Sequence, residues 1–302
     1  MDNLTHSLVG AVMGRMGLQR LSPRAMPAMI VAANLPDVDS FVAKWLGTTA
    51  RTFHRGFTHG IGGMLTMPFL AVAIIWAWEK LRPGKQGSIK LGGLLVACFV
   101  AVLSHPALDF LNTYGVRLLE PFSHRWFYGD TLFIVDPWIW IMLILGLEFS
   151  WRAERLGRNW QRPATYALLA VLGYIGLNVA ISVRAVAATR PLVEHVGQPT
   201  MVVAGEIPLE FWKRQVMWRT DRLSGTVDYE PFAPVQLGAK VVPLNLEDPR
   251  LLASERSDPV VCSFLFWSRM PLVLNLDGRA YLSDQRFPAL RRTTFMVPLD
   301  KR

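Results

Sequence analysis

Imidazole or carboxylate side chains mark four short stretches near the start of this chain. They are Thr5-His6, Pro36-Asp37-Val38-Asp39, His54-Arg55-Gly56-Phe57-Thr58-His59 and His105-Pro106-Ala107-Leu108-Asp109. Five of the six histidines fall within the first 124 residues. Such donors suit a divalent metal, zinc or alternatively manganese, and a metal so held can do hydrolytic work.

Spacing sharpens this reading. His105 and Asp109 are four apart, so on a helix they project from one face and can share one ion. Pro106 lacks a backbone donor and is expected to kink or start that helix. His54 and His59 are five apart and off any common helical face. They fit if His54 lies in a loop and His59 in a first helical turn, with Thr58 near the N-cap and Gly56 letting the backbone turn closely. Arg55 between them can hold a phosphate or carboxylate. Asp37 and Asp39, in an extended or turn segment, point to opposite sides, so one can ligate while the other orients a histidine. A lone His6 on an apolar helix more often reads as a core residue.

Two further sets are less specific. Trp126, Phe127 and Tyr128 suit an aromatic interfacial belt, or else His124, Arg125 and Asp130 contact a substrate headgroup. Asp136, beside Pro137, is a remaining candidate ligand or base. His195 lies outside the clusters and carries no role.

The elements that must position these residues are apolar. Of 302 residues 51% are hydrophobic, 11 are tryptophan and only 18% are charged, against about 25% in typical globular chains. Such a chain hides apolar surface in lipid. The net charge of +9 accords with cytoplasmic Lys/Arg loops, and no basic run interleaved with aromatics argues for nucleic acid. Cys98 and Cys262 have no CxxC partner and report nothing about redox compartment. The opening residues carry no basic stretch, which argues against a cleaved signal peptide and leaves His6 available.

Gly60–Trp78, Leu91–Leu111 and Ala164–Val183 are long enough to cross a bilayer, which takes about 20 helical residues. Leu132–Phe149 is a slightly shorter fourth run. Leu4–Gly17 and Ala25–Leu35 are too short to span untilted and read as a helical hairpin, partly inserted. The loops Lys80–Lys90 (Lys80, Arg82, Lys85, Lys90) and Trp151–Pro163 (Arg152, Arg155, Arg158, Arg162) are strongly basic and belong in the cytoplasm. All the His/Asp clusters then fall on the opposite, outer face.

From about Arg184 the character changes. Met201–Ile207 reads as a strand, Arg214–Thr220 and Thr226–Tyr229 as a hairpin turning at Leu223-Ser224-Gly225, and Ser257-Asp258-Pro259 as the cap of a helix through Arg269. Asp277-Gly278 marks a second hairpin, Leu272–Leu276 with Arg279–Leu282. The expected fold is mainly α: a polytopic helical membrane domain over 1–184 and a soluble α+β domain over 185–302 on the outer side.

The motifs carry a resemblance. Met1–His6 with Gly10, Asn34–Asp39, His54–His59, and Ser104–Asp109 running through Asn112-Thr113-Tyr114-Gly115 to Asp130 and Asp136 resemble the YdjM-like membrane-bound, metal-dependent hydrolases, described as LexA-binding and inner-membrane-associated. The resemblance covers roughly the first 150 residues. More loosely, the His-x-x-x-Asp spacing is similar to that of the zinc-dependent phospholipase C and P1-nuclease group, which implies phosphoester hydrolysis. No second His-x-x-x-Glu pair is present, so one or two metals are implied rather than three.

The expectation is therefore an inner-membrane metal-dependent hydrolase acting on a lipid or lipid-linked phosphoester at the outer face. His6, Asp37, His59, His105 and Asp109 are its candidate ligands, with His54 and Asp39 either ligating or orienting. Asp39 or Asp136 is the candidate base, and Arg55 and Arg125 the phosphate-neutralising groups. The rival is a non-catalytic membrane protein with the metal as a staple and a regulatory or structural protein partner. Ion transport predicts ligands spread through the membrane depth, which one-sided clustering disfavours.

Overall fold

The computed structural model describes residues 1–45, 53–82, 87–238, 241–287 and 295–300. Lys85 of the first basic loop lies outside the described residues. The chain divides into two units, Met1–Val42 with His54–Asn178, and Val179–Arg302 with Ala43–Phe53.

The first unit is helical: α1 (Asn3–Arg15), α2 (Ala25–Asn34), a short 3-10 turn (Leu35–Asp37), α3 (Val38–Trp45), α4 (Ile61–Leu81), α5 (Leu91–Phe110), α6 (Pro137–Arg155) and α7 (Gln161–Glu194), which continues into the second unit. Helices α4, α5 and α7 are long and apolar enough to cross a membrane. At 1.5 Å per residue the 20 residues of α5 span about 30 Å, the thickness of a hydrocarbon core. Large apolar side chains such as Leu65, Phe69, Ile144, Leu169 and Leu172 face outward, where lipid rather than water is their natural solvent. Inside, small residues meet: Ala28, Ala32 and Ala33 of α2, and Ala97 and Ala101 of α5, are fully buried in one core. Without bulky side chains at these positions the backbones can pack closely. Gly10 allows the same between α1 and α2, since a Cβ there would sit 3.0 Å from the Met29 carbonyl oxygen.

The α1–α2 hairpin is packed along the other helices. The Asp2 amide donates to the Ile134 carbonyl just before α6 (3.1 Å). At the far end of α1, Arg15 reaches Ser150 Oγ (2.9 Å) and Glu154 Oε2 (2.7 Å) near the end of α6. The hairpin's turn meets the ends of α4 and α5, through Arg24 Nε to Glu79 Oε2 (2.7 Å) and the Lys90 amide to Ser22 Oγ (2.9 Å). The unit thus has a basic-loop end and an opposite end where α4 begins and α5 finishes.

Helix α5 continues through Pro106, so the proline does not start it. Proline leaves only the Val102 carbonyl without its usual donor, one turn from the helix end, and that loss is tolerated.

The second unit pairs β1 (Met201–Glu206), β2 (Arg214–Arg219), β3 (Leu223–Tyr229) and β4 (Val241–Pro243) in an antiparallel sheet in that order. Helices α8 (Pro249–Ser257) and α9 (Pro259–Trp267) follow, then a second antiparallel sheet of β5 (Pro271–Leu276), β6 (Arg279–Asp284) and β7 (Met296–Pro298). The β2–β3 turn falls before Leu223 rather than at Leu223-Ser224-Gly225. Gly225 is inside β3 opposite Trp218, and any Cβ there would meet the Trp218 ring at 2.5 Å. Its glycine answers to the indole, not to a turn. Asp258 caps α9 through Val260 N–H (2.8 Å), and the helix ends at Trp267, short of Arg269. At the β5–β6 turn Asp277 and Gly278 both have positive φ (52° and 77°), as a type I′ turn demands.

Candidate metal centre

At the end opposite the basic loops, the four His/Asp stretches converge. Asp37 lies in the 3-10 turn and Asp39 in the first turn of α3. The segment is helical rather than extended because Pro36 presets a helical φ just where α2 ends. His59 sits in the turn before α4, whose N-cap is Gly60 rather than Thr58. The first amides of α4 need no side-chain cap: Ile61 donates to the Leu118 carbonyl (3.1 Å) and Gly62 to that of Glu120 (3.1 Å). His105 and Asp109 project from the last two turns of α5 and are fully buried, as are His6 and His59.

Hydrogen bonds decide which nitrogen of each ring is bare. His105 Nδ1 lies 2.6 Å from the Ala33 carbonyl oxygen, which can only accept, so Nδ1 carries the proton and Nε2 a lone pair. Thr58 Oγ1 donates to Asp39 Oδ2 (2.7 Å). Having spent its one proton, it must accept from His59 Nδ1 (2.9 Å), which leaves His59 Nε2 bare. The two bare nitrogens are 3.1 Å apart. Two lone pairs at that distance repel, and a cation between them removes the conflict.

Carboxylates complete the set. Asp37 Oδ1 lies 3.5 Å from His59 Nε2 and 3.4 Å from His105 Nε2. Asp109 Oδ2 lies 3.3 Å and 3.8 Å from the same atoms. A tetrahedral ion with ligand bonds of about 2.0–2.1 Å has ligand–ligand edges of about 3.3–3.4 Å. All four donor atoms lie within 4.8 Å of one another, so Asp37, His59, His105 and Asp109 form a group that can hold a metal ion. A second group, Asp37, Asp39 and His54, shares Asp37.

The surroundings fit the same ion. His6 stacks on His105 with ring centroids 3.7 Å apart, its Nε2 is 3.5 Å from Asp109 Oδ1, and neither ring nitrogen makes a hydrogen bond. Buried imidazole nitrogens without partners are costly. Three carboxylates, Asp37, Asp39 and Asp109, face one buried guanidinium, Arg55, and the Met1 amino group, which pairs with Asp109. With neutral imidazoles the cluster stays net negative. Burial alone would raise the Asp37 pKa, but the facing His105 and His59 imidazoles hold it below the usual carboxylate range. Asp39 behaves alike, its burial outweighed by His54 and His59. Burial pushes His54 down despite its bond to Asp39.

Asp39 serves as an anchor. Its Oδ1 accepts from His54 Nδ1 (2.7 Å), and its Oδ2 from the Arg55 amide (3.0 Å) and Thr58 Oγ1. These bonds hold Arg55 at φ +57°, a left-handed conformation that a side-chain-bearing residue seldom adopts. The Arg55 guanidinium then turns inward, with Nε 3.0 Å from Asp109 Oδ2 in an ionic contact, and donates to Asn112 Oδ1 (2.9 Å) and the Gly115 carbonyl (3.2 Å). Its face lies 4.7 Å from the Tyr114 ring centre.

Two predicted residues are placed elsewhere. Asp136 Oδ1 caps α6 through Trp138 N–H (3.0 Å) and Ile139 N–H (3.3 Å), and its Oδ2 accepts the Tyr174 hydroxyl (3.0 Å). Asp-Pro at a helix start is ordinary capping chemistry. Arg125 is exposed, its guanidinium 5.5 Å over the Phe127 ring. Conversely, the roles of Thr58 as a relay and of the Ala33 carbonyl as a tautomer lock depend on distant chain segments, and sequence spacing does not reveal them. Asn112 was visible only as part of the Asn112–Gly115 stretch.

Fold and cluster together define a helical membrane protein with a side-chain group able to hold a metal ion. The chain belongs to the YdjM inner membrane protein family, which matches residues 1–185. It is 30% identical over 176 residues to the inner membrane protein YbcI of Escherichia coli (strain K12), covering 49% of this chain and 96% of that one. It is 26% identical over 151 residues to YfhP of Bacillus subtilis (strain 168), described as uncharacterized, covering 47% of this chain and 43% of that one. The chain therefore spans less than half the length of the latter. No solved structure matches.

Proposed function

We propose that this protein is a metal-dependent hydrolase that cleaves a phosphoester of a lipid or lipid-linked substrate at the outer membrane face. The observation that carries the proposal is the pair of bare Nε2 atoms of His59 and His105, 3.1 Å apart and flanked by Asp37 and Asp109. These four residues would hold the cation, zinc or manganese, with His6 beside them. When bound, a divalent cation supplies Lewis acidity and an activated water.

The chain's own groups do the rest. His54 Nδ1 donates to Asp39 Oδ1 (2.7 Å), which leaves Nε2 free to take a proton. The His54 side chain is 20% exposed, so it borders both cluster and solvent, and the His54–Asp39 pair is the general base. Asp136 gives up that role to its cap. Arg55 neutralises charge from beneath the cluster, and Arg125 meets a headgroup at the surface. Phe41, Phe57 and Phe122 are exposed and offer apolar contact to acyl chains. The strongly basic loops support an orientation with this end outside the cytoplasm, and the same rule supports an extracytoplasmic C-terminal unit.

A second reading has one observation behind it: the four donors lie within 4.8 Å of one another, the number that a closed structural staple needs, and such a staple would steady a protein-binding surface. Further donors beside the four (His6, with neither ring nitrogen hydrogen-bonded, and the adjoining Asp37–Asp39–His54 group) favour the enzyme. The test is hydrolysis of phospholipid and lipid-diphosphate substrates by the detergent-purified full chain. Activity lost in chelator and restored by zinc or manganese is expected. Metal bound without any turnover supports the staple, and full activity in excess chelator overturns both.

A further inference from the structure

The basic-loop end holds a second feature, independent of the metal centre. A cavity of about 690 Å³ is lined by Arg15, Arg20, Ser22, Arg24, Glu154 and Trp160, among others. Its charges are not balanced. Arg15 pairs with Glu154 (2.7 Å) and Arg24 with Glu79 (2.7 Å), yet among the described residues no carboxylate pairs with Arg20. Instead, the guanidinium carbons of Arg15 and Arg20 lie 4.5 and 4.7 Å from the ring centre of one indole, Trp160. The ring holds both side chains through cation–π attraction; the Arg15 N–H groups already donate to Ser150 and Glu154, so the N–H edge left for another partner is that of Arg20.

The location narrows that partner. The cavity lies between the hairpin turn and the end of α6, beside the Ser22–Lys90 and Arg24–Glu79 contacts that tie it to α4 and α5. Both strongly basic loops begin here. Basic pockets between membrane helices on the cytoplasmic side suit anionic lipid headgroups, and tryptophan is at home at headgroup depth. Guanidinium forks match phosphate oxygens two at a time.

We infer that this cavity binds the phosphate of an anionic phospholipid headgroup, with Arg20 supplying the uncompensated charge and Trp160 presenting its guanidinium. The occupied site pins the hairpin turn against α6 and so stiffens α1, which carries His6 at its other end.

The test uses the full chain in neutral detergent, with lipid binding read by native mass spectrometry and melting temperature. Phosphatidylglycerol should bind and raise the melting temperature, while phosphatidylcholine, whose phosphate is neutralised by choline, should do little. Arg20→Gln should weaken phosphatidylglycerol binding about 5-fold, the effect of one cation near a headgroup. Arg158→Gln, an equally basic change on the exposed loop, should change it less than about 2-fold. Retained metal content in Arg20→Gln verifies folding. Equal effects of the two substitutions would overturn the site in favour of diffuse surface attraction. Protection reproduced in full by inorganic phosphate would overturn the lipid as the source.

Discussion

Both units of this protein bury charged groups, and the two do so in opposite ways. In the C-terminal unit, Asp284 is 1% exposed and completely served. Arg286 Nε and NH2 each reach it at 2.9 Å, Ser268 Oγ at 2.5 Å, and the Arg286 amide at 2.8 Å, while Arg286 also covers the Trp267 ring. In the N-terminal unit, Asp109 is equally buried and has ionic contacts with Arg55 and the Met1 amino group, but both ring nitrogens of His6 have no hydrogen bond, and the two Nε2 lone pairs of His59 and His105 confront each other. A buried ion pair that satisfies itself is architecture. A buried cluster that cannot satisfy itself calls for something the chain does not contain. Burial alone does not separate structure from function; unmet valence does.

The largest expected effect tests that contrast directly. His105→Ala should lose bound metal by more than the roughly 100-fold that bounds removal of an orienting partner, as read by metal content after dialysis. Asp284→Ala should keep full metal content. If His105→Ala retains wild-type metal, the two buried sites are alike and the comparison collapses.

Stability should reverse the ranking. Asp284→Ala strands Arg286 and should cost about 3–5 kcal/mol in denaturant unfolding of the C-terminal unit, with chelator making no difference. The sign with pH follows from Arg286: burial would raise the Asp284 pKa, but the paired guanidinium lowers it. Its contribution is therefore complete above the unfolded value near about 4 and is lost as pH falls through the lower folded value. Asp284→Asn should flatten that acid limb, and an unchanged limb would remove Arg286 as its cause.

A subtler probe is Thr58→Val, which keeps shape but breaks the Asp39–Thr58–His59 relay. His59 is then free to place its proton on Nε2, so metal affinity should fall about 10–100-fold, measured by competition with a chromogenic chelator. Thr58→Ser should restore it. Equal affinity in Thr58→Val would mean that the relay does not set the His59 tautomer.

How much of this was legible beforehand differs between the same two regions. The metal cluster was readable because its donors are rare residue types at helix ends, and because a four-residue spacing such as His105/Asp109 survives whatever the tertiary fold. The apolar runs of α4, α5 and α7 were readable for a related reason: hydropathy needs no partner to show itself. What resisted reading depends on contacts between distant segments. Gly225 looked like a turn because the Trp218 ring that needs its space is seven residues away across a strand pair. Asp136 looked like a base because its capping amides and the Tyr174 hydroxyl carry no signature. The Asp284–Arg286 pair has no signature in the sequence, since two charged residues near a strand end look like a solvated edge until burial is known.

Asp136 gives the smallest effect and the finest discrimination. Its Oδ1 accepts from two amides of the first turn of α6, so Asp136→Ala should cost about 1 kcal/mol of stability, the usual loss of an N-cap. Asparagine caps nearly as well as aspartate, so Asp136→Asn should recover most of that loss. Metal content and hydrolysis should stay at the wild-type level in Asp136→Asn, while Asp39→Asn, which weakens the bond that orients His54, should lower kcat. The asparagine variant matters most because it keeps the cap and removes only the basicity. A stable, metal-loaded Asp136→Asn protein without activity would return Asp136 to the chemistry and take the proton from His54.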